Sequence, residues 1–421
     1  MALACQQNSY LRELTSKVVS CKPVQITVSQ NGKKTKVQCH EVVLEDTVLF
    51  PEGGGQPDDR GQIGESEVLK VERRGATAVH YTLGELTPGS EVNMKVDWER
   101  RFDHMQQHSG QHLITAVADS LYSFKTTSWS LGGDLISTIE LDTAAVSQEQ
   151  VDEIERTVNE KIRQQITVTP RLFPDKTDPQ LQQFRARGLP DDHEGPVRVL
   201  DIEGIDATLC CGTHVSNLAH LQAIKILGCD KGKKSKSNLM FVAGGRVLKY
   251  LGRSYQVERE LTGILKGPLD KHVELSDKAI KGFKSYQKNC QTLLKDVAML
   301  EAEVYKAKAE KDPVFCHFRK DADADYMNIL VTQIVAVNPD VVCMVSVGDD
   351  KESGLMVLAG PQDIVATMGP KLAEILEAKG ATTGGRFRGK VNKMSQGAKA
   401  EKMLLEYVAS LKGAGEAQAE S

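Results

Sequence analysis

Hydrophobic and polar positions change period several times along this chain, and each change marks an element. Before residue 96 the apolar positions alternate or come in short runs. Val24-Gln25-Ile26-Thr27-Val28 alternates, Asn31-Gly32 is a hairpin signal, and Val42-Val43-Leu44 and Val48-Leu49-Phe50 follow as runs. The pattern predicts a β-rich module over residues 1–95. From Trp98 to about Tyr122 the period becomes helical, with Phe102, Met105, Leu113, Ile114, Val117 and Leu121 forming a buried face. Residues 136–141 read as a strand. Ser147 and Gln150 then form a capping box that opens a helix with the apolar stripe Val151, Ile154, Val158 and Ile162. Ile166-Thr167-Val168, Val197-Arg198-Val199, Ala223-Ile224-Lys225-Ile226 and Leu239-Met240-Phe241-Val242 are further strands, so residues 96–246 read as a domain of mixed helices and strands.

Residues 247–312 turn helical and charged, with one break at Gly267-Pro268. Phe283, Tyr286, Cys290, Leu293, Val297, Leu300 and Val304 follow steps of three and four, the seam of a coiled-coil arm that offers a surface for self-association. A C-terminal α/β domain is expected over residues 313–412. Its strands are Ile329-Leu330-Val331, Val341-Val342-Cys343-Met344-Val345 and Leu355-Met356-Val357-Leu358, its helix covers 364–378, and residues 413–421 read as a disordered tail. The fold class expected for the whole chain is α+β.

Composition narrows the partners. Aromatics make up 5% of the 421 residues and the net charge is −4, so any contact with RNA must come from local basic patches. One is the segment 231–236, with Lys233, Lys234 and Lys236, whose ordinary reading is a solvated hairpin tip. Another is the glycine-rich segment 384–393, where Arg386, Arg388, Lys390 and Lys393 suit phosphates and Phe387 is available to stack on a base; an unliganded basic loop is the alternative. Nine cysteines, an odd number without a regular framework, fit a reducing compartment where thiols stay free for metal. The start of the chain has no basic leader and no apolar run approaches membrane-spanning length, so a cytoplasmic protein without a membrane partner is expected.

The chemistry concentrates in two distant stretches. In Met105-Gln106-Gln107-His108-Ser109-Gly110-Gln111-His112, the four-residue spacing puts His108 and His112 on one helical face. In Leu209-Cys210-Cys211-Gly212-Thr213-His214, Cys210 and His214 are again four apart, and together the two pairs make a nitrogen and sulfur set suited to zinc. Spacing alone leaves alternatives open, because His104 forms a competing pair with His108 and Cys211 adjoins Cys210. A third stretch, Gly53-Gly54-Gly55-Gln56, is neither a Walker loop nor a dinucleotide fingerprint. It reads as a flexible turn or as a loop whose backbone comes close to a ligand.

Val96-Asp97-Trp98-Glu99-Arg100-Arg101 running into the histidine helix, the Cys210 to Val215 stretch, and Phe50-Pro51-Glu52-Gly53-Gly54-Gly55-Gln56-Pro57-Asp58-Asp59-Arg60-Gly61 together resemble the editing half of alanyl-tRNA synthetase. The chain is most similar to the free-standing alanyl-tRNA editing proteins in a long form, and its last domain resembles the synthetase's C-terminal tRNA-binding domain with a shortened glycine run. The resemblance implies one zinc ion per chain held by His108, His112, Cys210 and His214, with Cys211 as packing. It implies a hydrolase that acts in trans on tRNA(Ala) carrying the wrong amino acid, releasing serine from Ser-tRNA(Ala), with glycine as a second substrate, and sparing Ala-tRNA(Ala). No ATP-binding segment or nucleotide cofactor is expected. Gln111 is the first candidate for sensing the serine hydroxyl, at a position where the synthetase commonly has threonine. Gln56 and Ser128 are further candidates, and Gly54, Gly55, Asp59 and Gly61 match the family's pocket motif. No residue is assigned as general base. The alternatives are editing of another mischarged tRNA, such as Ser-tRNA(Thr), and a zinc-stabilised RNA-binding or scaffold protein without catalysis.

Overall fold

The alternating segment closes on itself. In the computed structural model, which describes residues 3–30, 33–132, 135–184, 196–349 and 353–419, a one-turn helix α1 (Ala4–Gln7) precedes six strands. They are β1 (Glu13–Gln30), β2 (Lys33–Leu44), β3 (Gly61–Ile63), β4 (Ser66–Arg74), β5 (Thr77–Thr82) and β6 (Glu91–Val96), joined as a closed barrel in the order β1-β2-β5-β4-β3-β6. Closure removes the unpaired edges an open sheet would expose. Val42, Val48, Leu49, Ile63, Val68, Val71 and Met94 fill its interior. The Asn31-Gly32 signal falls outside the described residues, although Gln30 pairs with Lys33 in the register expected of a hairpin.

Helix α2 (Trp98–Tyr122) starts where Asp97 accepts a hydrogen bond from the Arg100 amide, and ends where Ser123 turns left-handed at φ 55°. Every residue from His104 to Ala118 is buried, so the helix is enclosed on all sides rather than along one stripe. Its surroundings explain this. β7 (Thr126–Ser130), β8 (Ser137–Leu141) and α3 (Gln148–Arg163) follow, then a three-stranded sheet of β9 (Val168–Phe173), β10 (Val197–Ile202) and β11 (Asp206–Leu209), and last β12 (Ile224–Lys231) and β13 (Ser237–Ala243). The strands β12-β13-β8-β7 form one antiparallel sheet, and α2 packs against β8, β13 and α3. The predicted capping box at Ser147 is present, and Val151, Ile154, Val158 and Ile162 are all buried. The strand expected from Ile166 begins at Val168; Thr167 makes only a bridge to Asn217.

α2 is pinned at its first turns by a buried ion pair. Arg101 Nε donates to Asp59 Oδ2 at 2.8 Å, and the guanidinium also donates to the carbonyls of Ser9 and Val48. Asp59 Oδ2 further accepts from the Phe50 amide at 2.7 Å. These bonds offset the cost of burying the charges, although Asp59 Oδ1 is left without a partner. α4 (Gly245–Leu265) then leaves the sheet, with Arg246 held by Asp103 and by the carbonyls of Leu131 and Leu135.

The chain divides into two compact units, Met1–Glu260 and Leu261–Ser421, so the barrel and the helix-and-sheet layer form one unit and the division falls within α4. The second unit contains α5 (His272–Lys306), β14 (Val314–Arg319), α6 (Ala324–Val337), β15 (Val342–Gly348), β16 (Gly354–Ala359), α7 (Gln362–Ile375), β17 (Lys379–Thr383), β18 (Arg386–Val391) and α8 (Gly397–Ala419). Its sheet runs β14-β15-β16-β18-β17, parallel only between β14 and β15.

One expectation is corrected here. Ile329-Leu330-Val331 lies in α6, not in a strand: Asp323 caps that helix, and Tyr326, Met327, Leu330, Val331 and Ile334 form its buried face, which a short apolar run cannot distinguish from a strand. Along α5, Phe283, Tyr286, Leu293, Leu300 and Val304 are exposed, while Ala298, Ala302 and Tyr305 face the core. No helix among the described residues is long and apolar enough to cross a membrane.

Candidate metal centre

The two distant stretches meet. His108 and His112 project from α2, and the turn after β11 brings Cys210 and His214 to them. One ligand atom from each of the four lies within 4.8 Å of all the others. Cys210 Sγ is 3.5 Å from His108 Nε2 and 3.2 Å from His214 Nε2. Bonds of about 2.0 Å to nitrogen and about 2.3 Å to sulfur, set tetrahedrally, would separate neighbouring donors by roughly 3.3–3.6 Å, so these residues fit a single zinc-like ion.

Burial prepares the imidazoles for that task. Desolvation, followed by the neighbouring histidines, holds the His108 and His214 side chains well below the ordinary histidine range, so they are neutral and able to donate lone pairs. The tautomer of His108 is set from behind. Gln56 Oε1 lies 2.9 Å from His108 Nδ1, and a carbonyl oxygen can only accept, so Nδ1 carries the proton and Nε2 is left for metal. Ser109 Oγ stands 3.1 Å from His214 Nδ1 and orients that ring. His104 lies outside the cluster, and burial lowers its pKa to about 4.

The turn carrying Cys210 and His214 is clamped. Arg198, buried on β10, donates to the carbonyls of Cys210 and Gly212 at 2.9 and 2.8 Å. Gln56 Oε1 also accepts from the Thr213 amide, and its Nε2 donates to Thr213 Oγ1. Gly212 is required by space, since a Cβ there would stand 2.3 Å from His108 Cε1.

Residues 197–242, the segment with Arg198 and the Cys210–His214 turn, match the family described as "Threonyl and Alanyl tRNA synthetase second additional domain". The chain is 54% identical to "Alanyl-tRNA editing protein Aarsd1-B" of Xenopus laevis, over 98% of this chain and 99% of that protein. It is 53% identical to "Alanyl-tRNA editing protein Aarsd1" of Mus musculus, over 97% and 99%. The chain belongs to the alanyl-tRNA editing protein family. A more distant relative, "Putative alanyl-tRNA editing protein alaX" of Saccharomyces cerevisiae, is 28% identical over 94% of both chains.

In this alanyl-tRNA editing protein the remaining candidate residues divide. Gln111 directly precedes His112 on α2; its Nε2 donates to Thr115 Oγ1, and its Oε1 is buried without a partner. Gly54 and Gly55 are left-handed at φ 57° and 82°, with added Cβ atoms meeting Cys211 Sγ and the Trp129 ring at 2.8 Å, so the glycine loop borders the centre. Cys211 Sγ thus faces that loop and stays outside the four-donor cluster. Gly61, at φ 159°, is held in the barrel, where a Cβ would clash with the Lys95 carbonyl.

The other candidates lie elsewhere in the fold. Gln56 spends both amide atoms inside the protein, which makes it a holder of His108 and Thr213. Asp59 is buried and committed to Arg101 and the Phe50 amide. Ser128 is exposed and pairs with Glu140, on the sheet face opposite Trp129 and Ile139. Phe387 is 4% exposed within the core of the second unit and is not available for stacking; alternation along β18 turns Arg388 and Lys390 outward instead. The segment 384–393 is no flexible loop, since Gly384-Gly385, both left-handed, turn β17 into β18. Lys393 pairs with Glu377 and Lys236 with Glu140, whereas Lys233 and Lys234 stand exposed at the β12–β13 turn.

Reading the sequence missed Arg198, Ser109, Thr213 and Trp129, whose ring centroid lies 4.7 Å from that of His108. Arg198 left a signal. A lone arginine between two valines of a buried strand must have a buried partner.

Proposed function

We propose that this chain hydrolyses the ester of Ser-tRNA(Ala) in trans and spares Ala-tRNA(Ala). The observation that carries the reading is the convergence of four metal donors on one point, in a chain whose close relatives are named alanyl-tRNA editing proteins. His108, His112, Cys210 and His214 would hold zinc, which supplies a Lewis-acidic charge for anchoring and polarising the acyl group. The protein's own share is orientation. Gln56 and Ser109 fix two of the imidazoles, Arg198 fixes the turn, and the glycine loop lets the backbone approach the acceptor end. An aminoacyl ester is already activated, so positioning and selectivity are the main demands on the site.

Selectivity follows from the hydroxyl. A pocket that only measures size separates serine from alanine weakly, while a site built to hydrogen-bond the hydroxyl rejects the analogue lacking it by roughly 10⁴-fold. Lys233, Lys234, Arg388 and Lys390, all exposed, are the candidates for phosphate contacts.

The test is release of radiolabelled amino acid from Ser-tRNA(Ala) and Ala-tRNA(Ala), each at equal concentration with the purified chain. Rapid loss of serine with alanine retained is expected. Equal rates on both, or rapid hydrolysis only of Ser-tRNA(Thr), would overturn the assignment. Binding of tRNA without turnover would favour a non-catalytic protein.

A further inference from the structure

Residues 210–216 carry two of the four metal donors and belong to no strand or helix. Side chains from elsewhere take up a backbone group of every residue in the run. Arg198 on β10 serves the carbonyls of Cys210 and Gly212, Gln56 serves the Thr213 amide, and Ser109 on α2 serves the Val215 amide. The other three residues are all served by one short segment, 205 or 206 positions away in the chain. Gln6 Nε2 donates to the Cys211 carbonyl at 3.0 Å, while Ser9 Oγ and Tyr10 Oη accept from the amides of His214 and Ser216, each at 3.3 Å.

The directions of these bonds are fixed. A backbone amide can only donate and a carbonyl can only accept, and the Gln6 amide is held at its other end too, where Oε1 accepts from the Leu3 amide at 3.1 Å. The segment is itself anchored. Asp46 Oδ1 accepts from the Ala4 amide at 3.0 Å, the Thr47 carbonyl accepts from the Cys5 amide at 3.2 Å, and Cys5 is fully buried. Arg101 of α2 donates to the Ser9 carbonyl at 3.1 Å, and Tyr10 Oη also lies 2.6 Å from His220 Nδ1. The turn with Cys210 and His214 is thereby tied to the barrel and to the helix that carries His108 and His112.

We propose that the segment 3–10 is a strap that preorganises the metal centre, in which Gln6, Ser9 and Tyr10 are positioning residues for Cys210 and His214. Its role rests on the zinc reading of the preceding section and is independent of which acyl group is removed. With the strap in place, the ion meets donors that are already assembled. Without it, the turn must be ordered at the moment of binding and the buried His214 amide loses its partner.

Three variants of the full chain test this. Gln6→Glu keeps the acceptor for Leu3 and removes the donor to Cys211, Ser9→Ala removes the acceptor for His214, and Tyr10→Phe keeps the ring and removes the hydroxyl. Zinc affinity is read by competition with a chelator, and the absorption of the cobalt-loaded chain reports thiolate ligation and tetrahedral geometry. Ser9→Ala and Gln6→Glu should each weaken zinc binding about tenfold or more, the usual cost of losing a group that orients a ligand. Both should also alter the cobalt spectrum, and the double variant should bind more weakly than either. Tyr10→Phe, at the half-buried end of the strap, should give the same pattern more weakly and serves if Ser9→Ala does not fold. A segment that only stabilised the fold would lower the unfolding midpoint and leave zinc affinity and the cobalt spectrum of the folded chain unchanged. That result in the variants, with zinc bound by the unmutated chain, would overturn the strap alone. Failure of the unmutated chain to bind zinc would overturn the zinc reading and the strap with it.

Discussion

At the scale of single residues, the two adjacent cysteines show how an average property separates from a role. Both are half-buried and neighbours along the chain, yet only Cys210 Sγ faces His108 and His214; Cys211 Sγ faces Gly54, and burial pushes its thiol above the ordinary value. Cys210→Ala should therefore lose bound metal and activity together, while Cys211→Ala keeps the metal at one equivalent per chain. Elemental analysis of the dialysed proteins checks this, and equal loss in both would refute the ligand choice. His108 and His112 were legible because the i, i+4 spacing on a helix is a local fact, whereas Cys210 and His214 lie on a turn. The holders Arg198, Ser109 and Gln56 were not, because their partners lie 12 or more residues away for Arg198, 105 for Ser109 and 52 or more for Gln56.

At the scale of elements, period decided most assignments and alternation decided the orientation of basic side chains. β18 shows the second point: Phe387, Gly389 and Val391 point inward, so Arg388 and Lys390 point out. Phe387 packs against Gly369 of α7 and belongs to the core of Met356, Leu358, Leu372 and Val391. Phe387→Ala should accordingly destabilise the second unit by about 3–5 kcal/mol, measured by denaturant unfolding, the usual cost of emptying a buried aromatic site. A base-stacking residue would instead lose RNA affinity with little change in stability. The helix α6 was misread as a strand for an equally local reason, since three consecutive apolar residues carry no period of their own.

At the scale of the whole molecule, the barrel and the layer around α2 form a single unit, and buried histidines tie its stability to pH. His80 is fully buried in the barrel, 2.8 Å from Thr47 Oγ1 and 3.3 Å from the Val42 carbonyl, and burial lowers its pKa to about 4. The unfolded chain takes up this proton below the ordinary value of 6.5 while the folded one resists until about 4. The contribution of the neutral ring is thus complete above that ordinary value and is lost as pH falls through the window. The thermal midpoint of the first unit should drop on acidification, and His80→Asn should make the drop shallower; an unchanged slope would exclude His80 as a contributor. What the sequence determined by itself was whatever depends on near neighbours: the strand-rich start, the limits of α2, the capping box, and which side chains could ligate a metal. Only the tertiary structure decided that the strands close into a barrel, that α2 is buried on every side, that Asp59 serves Arg101, and that Gln111 keeps one oxygen unpaired. Those outcomes rest on contacts between segments far apart in the chain, and the periodicity of one segment carries no information about which other segment will cover it.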